Sequence, residues 1–383
     1  MQTKLRFIAI AAAASLTLVG CSTASDGTLG AVQSQDQSGQ SAGVATHAPI
    51  DVSACLLSDT DSDAVGTTVQ MAQAGMERGL QEVGVATTFA VLESSVNPQA
   101  AQSGAQSDAT GQDGLSELLQ QQCDLIIGLG PDSHRAIGEA ADDNPDVTFA
   151  LLQGIRDVEL PEGDLDNVVH VTFDPGATSY LAGYASAALT PSGLIATILS
   201  QDNELLRVAG ESFQQGIEKY NENHGKQIQN IGWRGVGLPN VADDATSDEM
   251  RIYARTLIRE DAGLLFPLVT SGGVGALKAA EESGKVWTVW FGTDGVLTQP
   301  DYADLIFTSV VLDYEAAVLA TIEDYVSGTL KSAPYVGDLK NEGVKLAPWR
   351  DYEAVITDEL ADELQTLEDQ LADGSLNPTA PLS

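Results

Sequence analysis

The chain has 383 residues, with 18 Lys and Arg against 55 Asp and Glu, for a formal net charge of −37 at pH 7. So strong a polyanion repels phosphate backbones, which argues against DNA or RNA binding. Four scattered His and three Cys form no recognisable Cys/His zinc cluster, and a hydrophobic fraction of 43% is too high for a disordered chain.

The first twenty residues are typical of a bacterial secretory signal. Lys4 and Arg6 form a positively charged region, and residues 7–19 form an uncharged apolar segment too short to span a membrane. The sequence Leu-Val-Gly before Cys21 resembles the lipobox of bacterial lipoproteins, so we expect a signal peptide at 1–20 and lipidation of Cys21. An ordinary signal with a Cys there by chance is the alternative.

A polar stretch rich in Ser, Gly, Gln, Ala and Thr follows, without periodicity. Its composition cannot bury enough apolar surface to order itself, so residues 21–49 are predicted to be the lipidated Cys and a flexible linker. No later apolar run is long enough to span a bilayer, which leaves the N-terminal lipid as the only expected membrane attachment.

The remaining chain alternates short apolar runs with segments of helical spacing. Strands are predicted at 52–57, 87–92, 124–130, 147–153, 168–173, 194–199, 228–232, 264–269, 286–290 and 305–311. Helices are predicted at 69–83, 115–122, 133–141, 180–189, 205–220, 248–260, 275–283 and 314–326. This alternation predicts an α/β protein with parallel sheets covered by helices, in which ligands lie beyond the carboxyl ends of the strands.

The loops after these strands carry no pattern for catalysis or for a metal. Residues 128–133 lack the last glycine of the dinucleotide fingerprint, and residues 271–278 lack the Walker spacing. Residues 210–214 miss the nucleophile-elbow pattern, and the acidic residues at 59–63 lack the rest of a calcium loop. We therefore expect no enzyme activity, no cofactor and no metal site.

Several short sequence blocks follow one another along the chain in a specific order and spacing. They include Cys123-Asp-Leu-Ile-Ile-Gly-Leu-Gly130, Tyr180-Leu-Ala-Gly183, Ser212-Phe-Gln-Gln-Gly216, Gly273-Val-Gly275-Ala-Leu-Lys278 and Phe291-Gly-Thr-Asp294. Together they make residues 52–378 resemble the basic membrane protein (BMP) family. Those are bacterial lipoproteins, the substrate-binding components of ABC importers, with purine nucleosides as their best-known ligands.

The resemblance implies a type I periplasmic-binding-protein fold, with two doubly wound parallel-sheet lobes joined by a hinge. The first lobe is expected at 50–173, completed by about 300–330. The second is expected at 174–299, completed by about 331–350. An acidic helix and tail at 351–383 would follow.

The resemblance also implies a ligand site at the strand ends. The expected ligand-binding residues are Asp59, Thr68, Gly130, Gln153, Trp233, Thr270, Ser271, Gly273 and Asp294. Thr68 stands where the family has a stacking Phe, Gln153 replaces an acid, and Leu312 replaces a Lys.

Three of these expected roles have alternatives. Asp294 resembles the acceptor for ribose hydroxyls but could instead cap a turn, and Asp59 has the same two interpretations. Trp233 could replace the missing stacking aromatic or could be a core residue.

Two cysteines remain after lipidation. A Cys55–Cys123 disulfide and two buried thiols are both compatible with export, and we favour the thiols because adjacent parallel strands rarely offer bridging geometry.

The sequence therefore predicts a monomeric, lipid-anchored, extracytoplasmic solute-binding protein. It would serve an ABC permease and bind a small polar ligand, nucleoside-like or another heterocycle. A lipoprotein that senses a ligand and signals to a membrane partner without transport is the alternative.

Overall fold

The computed structural model describes residues 50–59, 67–92, 112–154, 165–200, 203–233, 240–284 and 286–378. The predicted signal peptide, Cys21 and the linker lie outside these ranges. Within them, no helix is long and apolar enough to cross a membrane.

The first sheet has six strands in the order β11-β5-β4-β3-β1-β2, with every neighbouring pair parallel. The strands are β1 Ser53–Ser58, β2 Ala86–Val91, β3 Leu125–Leu129, β4 Thr148–Leu152, β5 Val168–Phe173 and β11 Val336–Gly337. Strands β3 and β4 are buried at every position, which explains why they are continuous apolar runs in the sequence.

The second sheet repeats this architecture in the order β12-β10-β9-β8-β6-β7. The strands are β6 Leu194–Leu199, β7 Gln229–Ile231, β8 Leu264–Leu268, β9 Trp287–Gly292, β10 Ile306–Leu312 and β12 Val344–Leu346. All pair in parallel except β12, which runs antiparallel to β10 and closes one edge.

Helices cover both sheets. They are α1 Thr68–Arg78, α2 Gln112–Gln120, α3 Pro131–Ala140, α4 Gly176–Leu189, α5 Glu204–His224, α6 Ser247–Arg259, α7 Val274–Ser283, α8 Gly295–Thr298, α9 Tyr314–Ser327 and α10 Asp358–Ala372. A π-helical turn at Gly79–Val83 continues α1, and 3-10 turns at Pro300–Leu305 and Arg350–Val355 precede β10 and α10.

Glycines allow α4 and α5 to pack in close contact. A Cβ atom added to Gly183 would lie 2.0 Å from the carbonyl oxygen of Phe213, and one on Gly216 would lie 2.0 Å from that of Tyr180. Both glycines belong to the blocks that carry the family resemblance. Their role in this structure is close helix packing.

The chain passes between the sheets at three places: residues 174–175, Asp313, and residues 338–343. Asp174 donates its N–H to the carbonyl of Gly337 at 2.7 Å, and Asp313 donates to that of Gly343 at 2.8 Å. Strands β5 and β10 both enter these crossings at their carboxyl ends. These three crossings form the hinge between the two lobes. The carboxyl edges of both sheets are therefore directed toward this hinge.

The crossings differ from the expected lobe boundaries. Strand β10 pairs with β9 in the second sheet, although residues 300–330 were expected to complete the first lobe. Helix α9 does belong to the first lobe, where it packs on α1. In the same way β11 joins the first sheet before the chain crosses to β12.

The expectation of free thiols is wrong, because Cys55 and Cys123 form a disulfide with their Cα atoms 6.1 Å apart. Cys123 lies two residues before β3, outside the ladder that pairs Cys55 with Ile126. It can therefore approach Cys55 at a distance that suits a disulfide, which two residues within adjacent parallel strands rarely do.

Candidate functional site

The carboxyl edges of the two sheets carry most of the polar side chains that the sequence singled out. In open α/β sheets this edge is where ligands bind, because loops and helix N-termini gather there. The predicted residues on described loops at this edge are Asp59, Gly130, Gln153, Thr270, Ser271, Gly273 and Asp294.

Asp59, at the end of β1, caps a neighbouring helix. Its carboxylate accepts hydrogen bonds from the backbone N–H groups of Asp132 at 2.9 Å and Ser133 at 2.6 Å, and from Ser133 Oγ at 2.6 Å. Gly130 permits this approach, since a Cβ there would lie 2.4 Å from Asp59 Oδ2. The negative charge is favourable at the N-terminus of α3.

Gln153 follows β4 and extends its pairing with β5. Its backbone N–H donates to Val171 at 2.8 Å, and its side-chain Oε1 accepts from the N–H of Phe173 at 2.9 Å. Only the oxygen of the amide can accept a hydrogen bond, so this contact also orients the NH₂ group. Thr68 is the first residue of α1, directly after the capping residue Thr67.

Thr270 and Ser271 hold a neighbouring loop against the second sheet. Thr270 Oγ1 donates to the carbonyl of Asp243 at 2.6 Å, and Ser271 Oγ donates to that of Ala245 at 2.8 Å. Gly273 is the N-cap residue of α7, which therefore has no side-chain cap. The hydroxyl protons of both residues are therefore used within the protein.

Asp294, after β9, forms a bidentate ion pair that the sequence did not suggest. Arg350 donates Nη1 to Oδ1 at 3.0 Å and Nη2 to Oδ2 at 2.5 Å. Asp294 also caps α8, accepting from the N–H of Val296 at 3.3 Å. The pair is only partly exposed, with relative side-chain exposures of 16% for Asp294 and 30% for Arg350. No local signal marks Arg350, which lies 56 residues further along the chain.

Two tryptophans of the second lobe differ in accessibility. Trp233 is 5% exposed and its ring lies against α5, where a Cβ on Gly210 would approach it to 2.1 Å. This favours its interpretation as a core residue. Trp290 of β9 is partly exposed; its Nε1 donates to Thr293 Oγ1 at 3.2 Å, and its ring lies 3.2 Å from where Gly273 would carry a Cβ. Trp290 is thus an aromatic side chain at the carboxyl edge that sequence reasoning missed.

Two acidic side chains at the hinge crossings, Asp313 and Asp338, lie near Tyr335. Lys345 pairs with Asp313 at 2.5 Å. Burial, with the nearby charges of Asp313 and Asp338, raises the pKa of Tyr335 to about 12. The tyrosine therefore stays neutral through the physiological range.

Residues 69–374 match the family model described as Bmp, "ABC transporter substrate-binding protein PnrA-like". Basic membrane protein D of Borreliella burgdorferi (strain JD1) is 23% identical over 44% of this chain and 46% of its own length. Basic membrane protein A of strain B31 is 24% identical over 60% of this chain and 63% of its own length. The alignments thus span about half to just under two thirds of these relatives.

Solved structures share the architecture. An ABC transporter solute-binding protein from Aeropyrum pernix K1 has a TM-score of 0.60 and 14% identity, covering 85% of this chain and 92% of its own. One from Conexibacter woesei DSM 14684 has a TM-score of 0.59 and 21% identity, covering 85% and 98%. Sequence identities this low allow a conclusion about the fold alone. The structural similarity confirms the predicted type I periplasmic-binding-protein fold.

Proposed function

We propose, from the premise that this chain belongs to the Bmp family of PnrA-like ABC transporter substrate-binding proteins, that it binds a small polar ligand between its two lobes and delivers it to a permease. The observation that carries this proposal is the shared direction of the two sheets. Both direct their carboxyl edges toward one hinge of three crossings, and polar loop groups and a partly exposed Trp290 lie on those edges.

The hinge supplies the mechanism. Rotation about the three crossings brings the loops of both lobes onto one ligand, and the closed form presents a surface that the open form lacks. A permease that binds only the closed form then accepts loaded receptor. Because Trp290 is an aromatic ring at this edge, a planar heterocycle, nucleoside-like or otherwise, is the ligand shape that suits it best.

We also propose that the protein is exported and held at the membrane by a lipid on Cys21. Its disulfide supports export, because disulfides persist in oxidising compartments. The Cys21→Ser variant should move from the membrane fraction to the soluble extracytoplasmic fraction. Retention of that variant in the membrane fraction would contradict the lipid anchor.

Thermal unfolding with ligands tests the binding function directly. The protein from about residue 49 onward is heated with nucleosides, nucleobases, flavins and sugars in turn. A ligand at 100 times its Kd adds about 2.7 kcal/mol, which raises the midpoint by about 4 °C for a chain of this size. The absence of any shift across the panel would contradict the proposal.

Two variants on one strand localise the site. Trp290→Leu, two residues before the carboxyl end of β9, should weaken binding of the ligand that gives the shift by tenfold or more. Trp287→Leu, at the amino end, disturbs a contact with Tyr352, with ring centroids 5.2 Å apart, and should leave Kd within about twofold. Equal effects on Kd would place the ligand elsewhere.

A further inference from the structure

Three side chains at the carboxyl edges would normally offer hydrogen-bond acceptors to a ligand. They are Asp59, Gln153 and Asp294, and in this structure each side-chain oxygen already accepts at least one hydrogen bond from another group of the protein. The three occupying groups come from different elements and are independent of one another. This bears on the chemistry of the ligand and rests on the function proposed above.

The carboxylate of Asp59 already accepts hydrogen bonds from the N-terminus of α3. Oδ1 accepts from both the N–H and the hydroxyl of Ser133, and Oδ2 accepts from the N–H of Asp132. Releasing the carboxylate to a ligand would leave these donors at the start of α3 unsatisfied. Its charge is also already balanced by the helix terminus.

Asp294 is occupied by a guanidinium. The two parallel hydrogen bonds from Arg350 use both oxygens, and the pair is neutral as a whole. A ligand hydroxyl would have to compete with a charged, bidentate donor. Arg350 retains further N–H groups, so the exposed part of the pair offers donors.

In the side chain of Gln153, only the amide oxygen takes part in a hydrogen bond within the described protein. Because Oε1 accepts from Phe173, the two N–H donors of the amide remain, and they bond to no residue that the structure describes. Phe173 is the last residue before the hinge crossing, so this NH₂ group lies at the carboxyl edge beside the hinge. A glutamate here would offer an oxygen at the same place.

We propose that the ligand is recognised through its own acceptors, such as carbonyl oxygens, a carboxylate or unprotonated ring nitrogens. Gln153 is the residue that sets this preference, with its NH₂ group as donor. A ligand held mainly through its hydroxyl protons, as a neutral sugar is, would have to share each of these three acceptors with a donor of the protein. The expected ligand is therefore a heterocycle rich in hydrogen-bond acceptors, with or without a carboxylate group.

Calorimetric titration with two groups of probes tests this preference. The acceptor-rich probes are xanthine, urate and orotate, and the hydroxyl-rich probes are ribose, glucose and inositol. The tightest acceptor-rich probe should bind at least tenfold more tightly than any hydroxyl-rich one. Tighter binding of a hydroxyl-rich probe would overturn the inference and leave the proposed function standing.

The Gln153→Glu variant replaces the donor with an acceptor of the same shape, and its other oxygen can still accept from Phe173. It should weaken the tightest acceptor-rich probe by tenfold or more, about the value of one lost hydrogen bond. Gln229→Glu is the matched control: it adds the same charge at the exposed amino end of β7 and should change Kd less than twofold.

A second variant, Gln153→Met, removes the donor without adding charge, so it separates loss of the donor from charge repulsion. It should weaken the same probe about tenfold. Unchanged or tighter binding to both variants would overturn the role of Gln153. If the wild-type protein binds no probe of either group, both the proposed function and this inference are overturned.

Discussion

The Cys55–Cys123 disulfide should contribute strongly to the stability of the first lobe. The bond joins residues separated by 68 positions, so it removes from the unfolded chain the entropy of closing a loop of that length. In the chain-entropy treatment this loss is about 15 cal/mol/K, or about 4 kcal/mol at about 25 °C. The double variant Cys55→Ser with Cys123→Ser should therefore lower the free energy of unfolding by about that amount.

Thermal unfolding of the protein from about residue 49 onward measures this effect, because Cys55 and Cys123 are then its only cysteines. With an unfolding entropy of about 0.7 kcal/mol/K for a chain of this size, the midpoint should fall by about 6 °C. Reductant should produce the same fall in the wild type and none in the double variant.

Ligand affinity provides an independent check on the same variant. Cys123 precedes β3 and so lies at the amino edge of the sheet, away from the carboxyl edge, and Kd should change less than about twofold. Two free thiols in the unfolded, unreduced wild type would refute the reasoning. So would a midpoint that does not respond to reductant.

Three further perturbations test the packing, the ion pair and the buried tyrosines. Gly216→Ala would place a Cβ 2.0 Å from the Tyr180 carbonyl oxygen and should lower the free energy of urea unfolding by about 3 kcal/mol; no change would contradict the close packing. Arg350→Ala leaves the Asp294 carboxylate unpaired and should cost about 1 kcal/mol, with Arg350→Lys recovering only part because it lacks the planar fork. Burial raises the pKa of Tyr184 to about 12, above its value in the unfolded chain. The contribution of the neutral phenol to the free energy of unfolding should therefore be fully present below about pH 10 and decrease toward pH 12. Circular dichroism should show that fall, and Tyr184→Phe should reduce its pH dependence.

Most of the regular elements could be predicted from local sequence pattern. Strands β5 and β6 have the predicted bounds of 168–173 and 194–199. Strand β6 is buried at every position after the first, and β5 alternates buried with more exposed positions, and both patterns are typical of strands. Helix α4 begins at Gly176 instead of residue 180, since its first turn of small residues lacks apolar periodicity. Strands β11 and β12, with two and three residues, are too short to give any pattern.

The sequence predicted that the candidate site residues follow the strands of the two sheets, but the hydrogen-bonding state of these residues was not predictable. Asp59 and Asp294 follow β1 and β9 as the strand pattern requires. Whether each carboxylate was free or capping remained open, because the answer depends on Ser133 and Arg350, which lie 74 and 56 residues away. Trp290 was missed since it lies inside a strand, where an aromatic residue is usually part of the core.

The sequence by itself determined the class of fold and the family, because hydrophobic periodicity, turn residues and ordered blocks are properties of neighbouring residues. Only the tertiary structure decided which distant groups meet. It joined Cys55 to Cys123, placed β10 in the second sheet before the crossing at Asp313, and paired Arg350 with Asp294. Such contacts depend on how strands and helices dock in space, and no local spacing of residues encodes that docking.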